Sequence, residues 1–123
     1  MPDIWRIYHV RKCPHTVPAK DKFVLIVCID VTSLGFFINT KINPFILNRP
    51  NLLACQVSIK ASEYWFLDHD SYIDCTKLFP FGDDTLLDGR ELIREDIKKE
   101  IKSVVSTATT IEKRYKKLIL DKP

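Results

Sequence analysis

The sequence has little glycine: only Gly35, Gly82 and Gly89 in 123 residues. They are too sparse for a Gly-rich phosphate loop, which excludes dinucleotide-binding and nucleoside-triphosphatase folds. No apolar run approaches the roughly 20 residues needed to span a bilayer, so no membrane association is expected. The four cysteines, Cys13, Cys28, Cys55 and Cys75, never fall in C-x-x-C spacing, and a zinc ribbon is disfavoured. The opening residues MPDIWRIYHVRK lack the basic-then-apolar order of a secretion signal. A disulfide framework is therefore also disfavoured, and a cytoplasmic chain is expected. Cys28 and Cys55 lie in apolar runs and read as buried reduced thiols acting as small hydrophobes. There is no internal repeat and no low-complexity segment.

A strong excess of one charge is absent too. The net charge of +3 is compatible with nucleic acid but well short of a DNA-coating protein. Distribution is more telling than the total: positive charge gathers in RKCPHTVPAKDK (11–22) and in the tail EKRYKKLILDK (112–122). With 46% hydrophobic and 28% charged residues, the composition is that of an ordinary soluble globular protein. The length suits one domain over 1–123.

Residues 4–10, IWRIYHV, mix β-branched and aromatic side chains and read as a strand. Pro14 and Pro18 make 11–22 a loop. FVLIVCIDV (23–31) has the continuous apolar pattern of a strand buried on both faces, and 36–42 pairs with it as a hairpin. Pro44 and Pro50 break the next stretch into a long connection. LLACQVSI (52–59) alternates, with Leu53, Cys55, Val57 and Ile59 facing one way. Two further short strands, 64–67 and 71–75, flank Asp68, His69 and Asp70.

The period then changes. Ile93, Ile97, Ile101, Val104 and Val105 recur at helical spacing, with Asp88 and Glu91 as a capping pair at the helix start. Thr109 and Glu112 form a second capping pair, opening a last helix that presents Ile111, Tyr115 and Leu118 on one face. STATT (106–110) is the break between the helices. The expected class is α+β, mainly β. A small antiparallel barrel of five to six strands, about 4–81, precedes two C-terminal helices, about 89–120.

Three stretches resemble the MazF/PemK-like toxin family, whose members are small SH3-like barrels with helical cover. KFVLIVC (22–28) is similar to a buried strand led by a basic residue, FFINTKI (36–42) to a strand carrying a functional Thr, and DSYIDCTKL (70–78) to a late strand in which Asp74 precedes the basic Lys77 by three positions. The likeness spans roughly residues 4–105. It implies metal-independent, cofactor-free endoribonuclease activity on single-stranded RNA, with the RNA's own 2′-hydroxyl attacking the neighbouring phosphate. It also implies homodimers and an antitoxin-like protein partner. The basic catalytic position matches Lys22, where the family usually has Arg, with Lys20 the near alternative; the Thr position matches Thr40. Lys is a point charge where Arg offers a planar fork for phosphate, so the departure bears on activity.

That chemistry needs a base, phosphate-stabilising cations or N–H donors, and an acid. The expected set is Lys22 for charge stabilisation, Thr40 for phosphate hydrogen bonding and His15 for proton transfer. Lys20, Lys41 and Lys77 are the expected RNA contacts, and Asp70 and Asp74 support the site. The competing reading is that His15 and the lysines form a solvated loop. Trp5, Tyr64 and Trp65 could stack on unpaired bases or fill a core.

FLDHDSYIDCTKL (66–78) invites a rival reading, a metal-dependent nuclease on Asp68, His69, Asp70 and Asp74. Extended backbone sends His69 to the opposite side from the aspartates, and one strand seldom completes a ligand shell. The segment is expected to order a hairpin and supply one charged pair. A barrel of this kind that binds protein or nucleic acid without cutting is the remaining alternative, and the tail helix cations (Arg114, Lys116, Lys117, Lys122) suit either a partner or solvent.

Overall fold

A computed structural model describes residues 2–123. Its strands are β1 (Arg6–Cys13), β2 (Lys20–Ile29), β3 (Ser33–Asn39), β4 (Gln56–Ile59), β5 (Ser71–Phe81) and β6 (Asp88–Leu92). Among the described residues there are four α-helices, the single turns α1 (Pro44–Leu47) and α2 (Pro50–Leu53), then α3 (Glu95–Thr107) and α4 (Lys113–Leu120), and two short 3-10 turns, Ala61–Glu63 and Asp83–Thr85. The fold is α+β and mainly β, six antiparallel strands curled into a half-barrel with two C-terminal helices. Strand order is β4-β5-β3-β2-β1-β6.

Local chemistry explains the curl. Gly35 in β3 faces Leu25 on β2 so closely that a Cβ would stand 2.7 Å from the Leu25 carbonyl oxygen, and only glycine permits that approach. Register shifts interrupt β1–β2, β2–β3, β3–β5 and β1–β6. Such bulges bend strands and raise twist, so the sheet wraps instead of lying flat.

The two faces of the sheet bury different things. The inner face carries Ile7, Leu25, Val27, Phe36, Ile38, Val57, Ile59, Ile73 and Cys75, and α3 and α4 close over it with Ile97, Ile101, Val105, Ile111 and Ile119. On the outer face Tyr8, Val10, Cys13, Val24, Ile26, Phe81 and Leu86 form a smaller cluster, flanked by half-buried Phe37 and Phe79. All four cysteines are buried free thiols. Cys28 is pushed up to about 11, by burial first and by Asp30 second.

Several expectations need correction. β6 occupies Asp88–Leu92, where a helix start was expected; these residues pair with β1 (Arg6 with Leu92, Tyr8 with Gly89), and α3 begins only at Glu95. Asp88 therefore caps nothing and pairs with Arg90 at 2.9 Å. Glu112 takes the N-cap position of α4 with no side-chain cap bond, so Thr109 does not form the expected box. Residues 64–67 are not a strand but a turn between β4 and β5. Tyr64, Phe66 and Leu67 turn inward instead, and the Tyr64 hydroxyl accepts the Arg94 N–H at 3.1 Å. β4 begins at Gln56, since Pro50 starts a helical turn that takes Leu53 out of the strand. Proline is at home there, in a first turn where its missing N–H has no partner to lose. The expected loop over 11–22 shrinks as β1 runs to Cys13 and β2 begins at Lys20. Conversely β5 continues past 75 to Phe81, so the FPF segment is strand.

Candidate functional site

Lys22 is the centre of the candidate site. It stands on the outer face of β2, two residues after the strand begins, and is half-buried. Its ammonium group donates a hydrogen bond to Oδ1 of Asn39, the last residue of β3. The strand-to-loop exit places Thr40 and Lys41 directly after Asn39, and α1 begins just beyond. A surface hollow of about 440 Å³ results, lined by Lys20, Lys22, Asn39, Thr40, Lys41, Ile42, Asn43 and Pro44. Antiparallel pairing of β2 with β3 brings these two segments together, with Phe23 opposite Ile38.

Burial lowers the Lys22 pKa below its usual value, and the neighbouring charge of Lys20 lowers it further. Asp74 works in the opposite direction. That carboxylate is engaged: its Oδ1 accepts from Gln56 Nε2 at 2.9 Å, from the Thr76 N–H at 3.1 Å and from the Thr76 hydroxyl at 2.6 Å. Lysine charge therefore dominates the hollow, an arrangement that suits an anion such as phosphate.

Beside the hollow lies an aromatic pair. Phe37 of β3 and Phe79 of β5 stack with centroids 4.4 Å apart and planes 22° from parallel. Lys22 Nζ stands 5.4 Å from the Phe37 centroid, and Lys77 Nζ stands 5.0 Å from that of Phe79. Both distances fall within cation–π range.

Of the residues read from sequence, Lys20, Lys22, Thr40 and Lys41 meet in one hollow. Lys77 reaches the same side of the sheet through Phe79. His15 does not line the hollow. Its ring packs 5.2 Å from Phe79 and 5.3 Å from Phe81, and its Nε2 lies 2.6 Å from the Pro80 carbonyl oxygen. A carbonyl can only accept, so that nitrogen carries a proton and donates it. Asp70 is elsewhere, accepting the Ala61 N–H at 2.9 Å. That contact lies in the connection before β5. The hairpin expected between 64–67 and 71–75 does not form, and among the described residues neither Asp70 nor Asp74 enters a salt bridge.

Asp68, His69 and Asp70 are exposed and Asp74 is committed to Gln56 and Thr76. Among the described residues no three His, Cys, Asp or Glu side chains stand together as a ligand set. Among the described residues, too, no helix is long and apolar enough to cross a membrane.

Sequence reasoning missed Phe37 and Phe79. The aromatics it considered for stacking behave otherwise: Trp5 and Tyr64 are core, while Trp65 is exposed at 74% but lies against Phe66 and Arg90. The available signal was alternation within FFIN, which sends Phe36 inward and Phe37 outward. Pairing it with Phe79 required knowing the β3–β5 register, in which Gly35 opposes Phe79.

No family model matches the chain, and no curated protein matches it.

Proposed function

We propose that this chain is a MazF/PemK-like endoribonuclease that cuts single-stranded RNA without a metal, at the hollow around Lys22. The observation that carries this reading is the meeting of Lys20, Lys22, Thr40 and Lys41 at one strand end. The 2′-oxygen, its proton passing to solvent, bonds to phosphorus; the P–O5′ bond breaks, and the 5′-oxygen takes a proton from solvent. The extra negative charge on the non-bridging phosphate oxygens is opposed by three ammonium groups beside a hydroxyl. Lys22, held by Asn39, offers a positioned cation; Thr40 donates to a phosphate oxygen; Lys20 and Lys41 hold the flanking backbone. An antitoxin-like protein would silence the enzyme by covering this face, and cytoplasmic RNA held by a homodimer would be its target.

The test is incubation of the purified protein with a long unstructured RNA in a chelator. Cleavage is expected, leaving 2′,3′-cyclic phosphate ends, with a loss on the order of 10²–10³ in rate for Lys22→Ala. Intact RNA with the wild-type protein would reject the enzymatic reading.

A second reading, a non-cutting RNA- or protein-binding barrel of the same kind, is favoured by one specific observation. The hollow supplies cations and a hydroxyl, but the imidazole expected to move the proton donates to Pro80 instead. RNA retained on the protein without any cleavage would decide for it.

A further inference from the structure

Resting on the RNA reading above, we propose that the Phe37–Phe79 pair is a nucleobase-stacking platform that restricts the Lys22 hollow to unpaired RNA. Cations alone do not distinguish single from double strands, because both present phosphates. An aromatic face does, because it needs a base whose own face is free.

The platform has the features this role requires. Its two rings come from neighbouring strands, β3 and β5, so the backbone ladder fixes their spacing. Phe81 supports Phe37 edge-on at 6.3 Å, and His15 supports Phe79 at 5.2 Å. His15 is itself pinned through Nε2 to the Pro80 carbonyl at 2.6 Å. This gives the imidazole a positioning role, bracing Phe79.

Both rings stay half-buried and are not sealed into the outer cluster. Lys77, which overhangs Phe79, is an exposed side chain. A base arriving on Phe79 displaces that ammonium from the ring toward the incoming nucleotide's own phosphate. Lys22 belongs to both parts, lying over Phe37 and lining the hollow. A nucleotide stacked on the platform therefore has its backbone beside the cations.

The probe is a fluorescein-labelled 2′-O-methyl RNA heptamer, which has no free 2′-hydroxyl to attack and so is not cut. Anisotropy is measured for the single strand, for the same strand with one abasic position, and for its duplex. Wild type, Phe37→Leu, Phe79→Leu and Phe79→Tyr are compared, with circular dichroism confirming that each is folded. Leucine keeps the apolar packing and removes the stacking face; tyrosine keeps both.

Wild type is expected to prefer the single strand and to lose affinity at an abasic position. Phe79→Leu should bind roughly 5- to 150-fold more weakly, the range of one lost base–aromatic stack. Phe79→Tyr should bind like wild type. The salt dependence of Phe79→Leu should be unchanged, since its phosphate contacts remain. Leucine variants that bind like wild type, or a duplex bound as well as the single strand, would overturn the platform and leave the RNA reading standing. Wild-type protein that binds no RNA at all would overturn both.

Discussion

Phe36 and Phe37 are neighbours in β3 with opposite surroundings. Phe36 has no exposed surface and packs among Leu25, Val27, Ile73 and the helices. Phe37 is half-buried against Phe79, with an ammonium 5.4 Å from its ring. The inner face is a buried apolar core closed by α3 and α4. The outer face pairs aromatic rings with lysines. One face can thus be selected for stability and the other for recognition, because a strand separates them by a single residue step.

Truncation is the harshest way to test that division. Phe36→Ala should lower unfolding free energy by about 3–5 kcal/mol, read from urea denaturation, because it leaves a cavity that the packed sheet cannot refill. Phe37→Leu should cost less than about 1.5 kcal/mol, since the change is apolar and nearly volume-conserving. Its effect should appear in RNA affinity instead. Equal stability losses from the two substitutions would show that Phe37 is core and dissolve the contrast.

A subtler test uses Lys22. Its folded pKa lies below its unfolded value because burial disfavours the charge. Between the folded value and 10.5 the unfolded chain binds more protons, so this group's contribution to stability rises with pH across that window. Below the window the full cost of burying the ammonium is present. Lys22→Met should therefore be at least as stable as wild type at neutral pH while losing activity, and the advantage should shrink as pH rises through the window. Paired urea titrations from neutral to alkaline pH measure this. A variant less stable than wild type at neutral pH would mean that the charge holds the fold together.

The smallest expected effect belongs to Asp88, on the edge strand β6. Arg90 bonds to its carboxylate and holds the pKa below the ordinary 3.8. The ion pair contributes stability above that value, and the contribution is lost as pH falls through the folded pKa. Asp88 is substantially exposed, so screening keeps the term small. Asp88→Asn should leave the urea midpoint nearly unchanged at pH 7 and bring the wild-type and variant midpoints together at pH 2.

How much of this was legible beforehand follows from the range of the forces involved. The β2 run, the α3 period at Ile97, Ile101 and Val105, and the break after Thr107 are local patterns, and sequence displays them. β6 was hidden because Asp88 and Glu91 imitate a helix cap, while the partner that makes DGREL a strand lies some eighty residues earlier in β1. Tyr64–Leu67 have strand-like composition, but Tyr64, Phe66 and Leu67 pack into the core instead of joining a ladder. At the site, Lys22 and Thr40 meet because β2 and β3 form a short hairpin, which the sequence signals. His15 was misplaced because a loop gives no periodicity from which to judge direction, and its attachment to Pro80 is long-range.

The most direct measurement is a backbone and side-chain NMR titration of the protein with the uncut 2′-O-methyl RNA heptamer. Shift changes concentrated at Lys20, Lys22, Phe37, Thr40, Lys41 and Phe79, with Ile101 and Ile119 still, are the expected result. Changes confined to the α3–α4 surface, or none at saturating RNA, would contradict it.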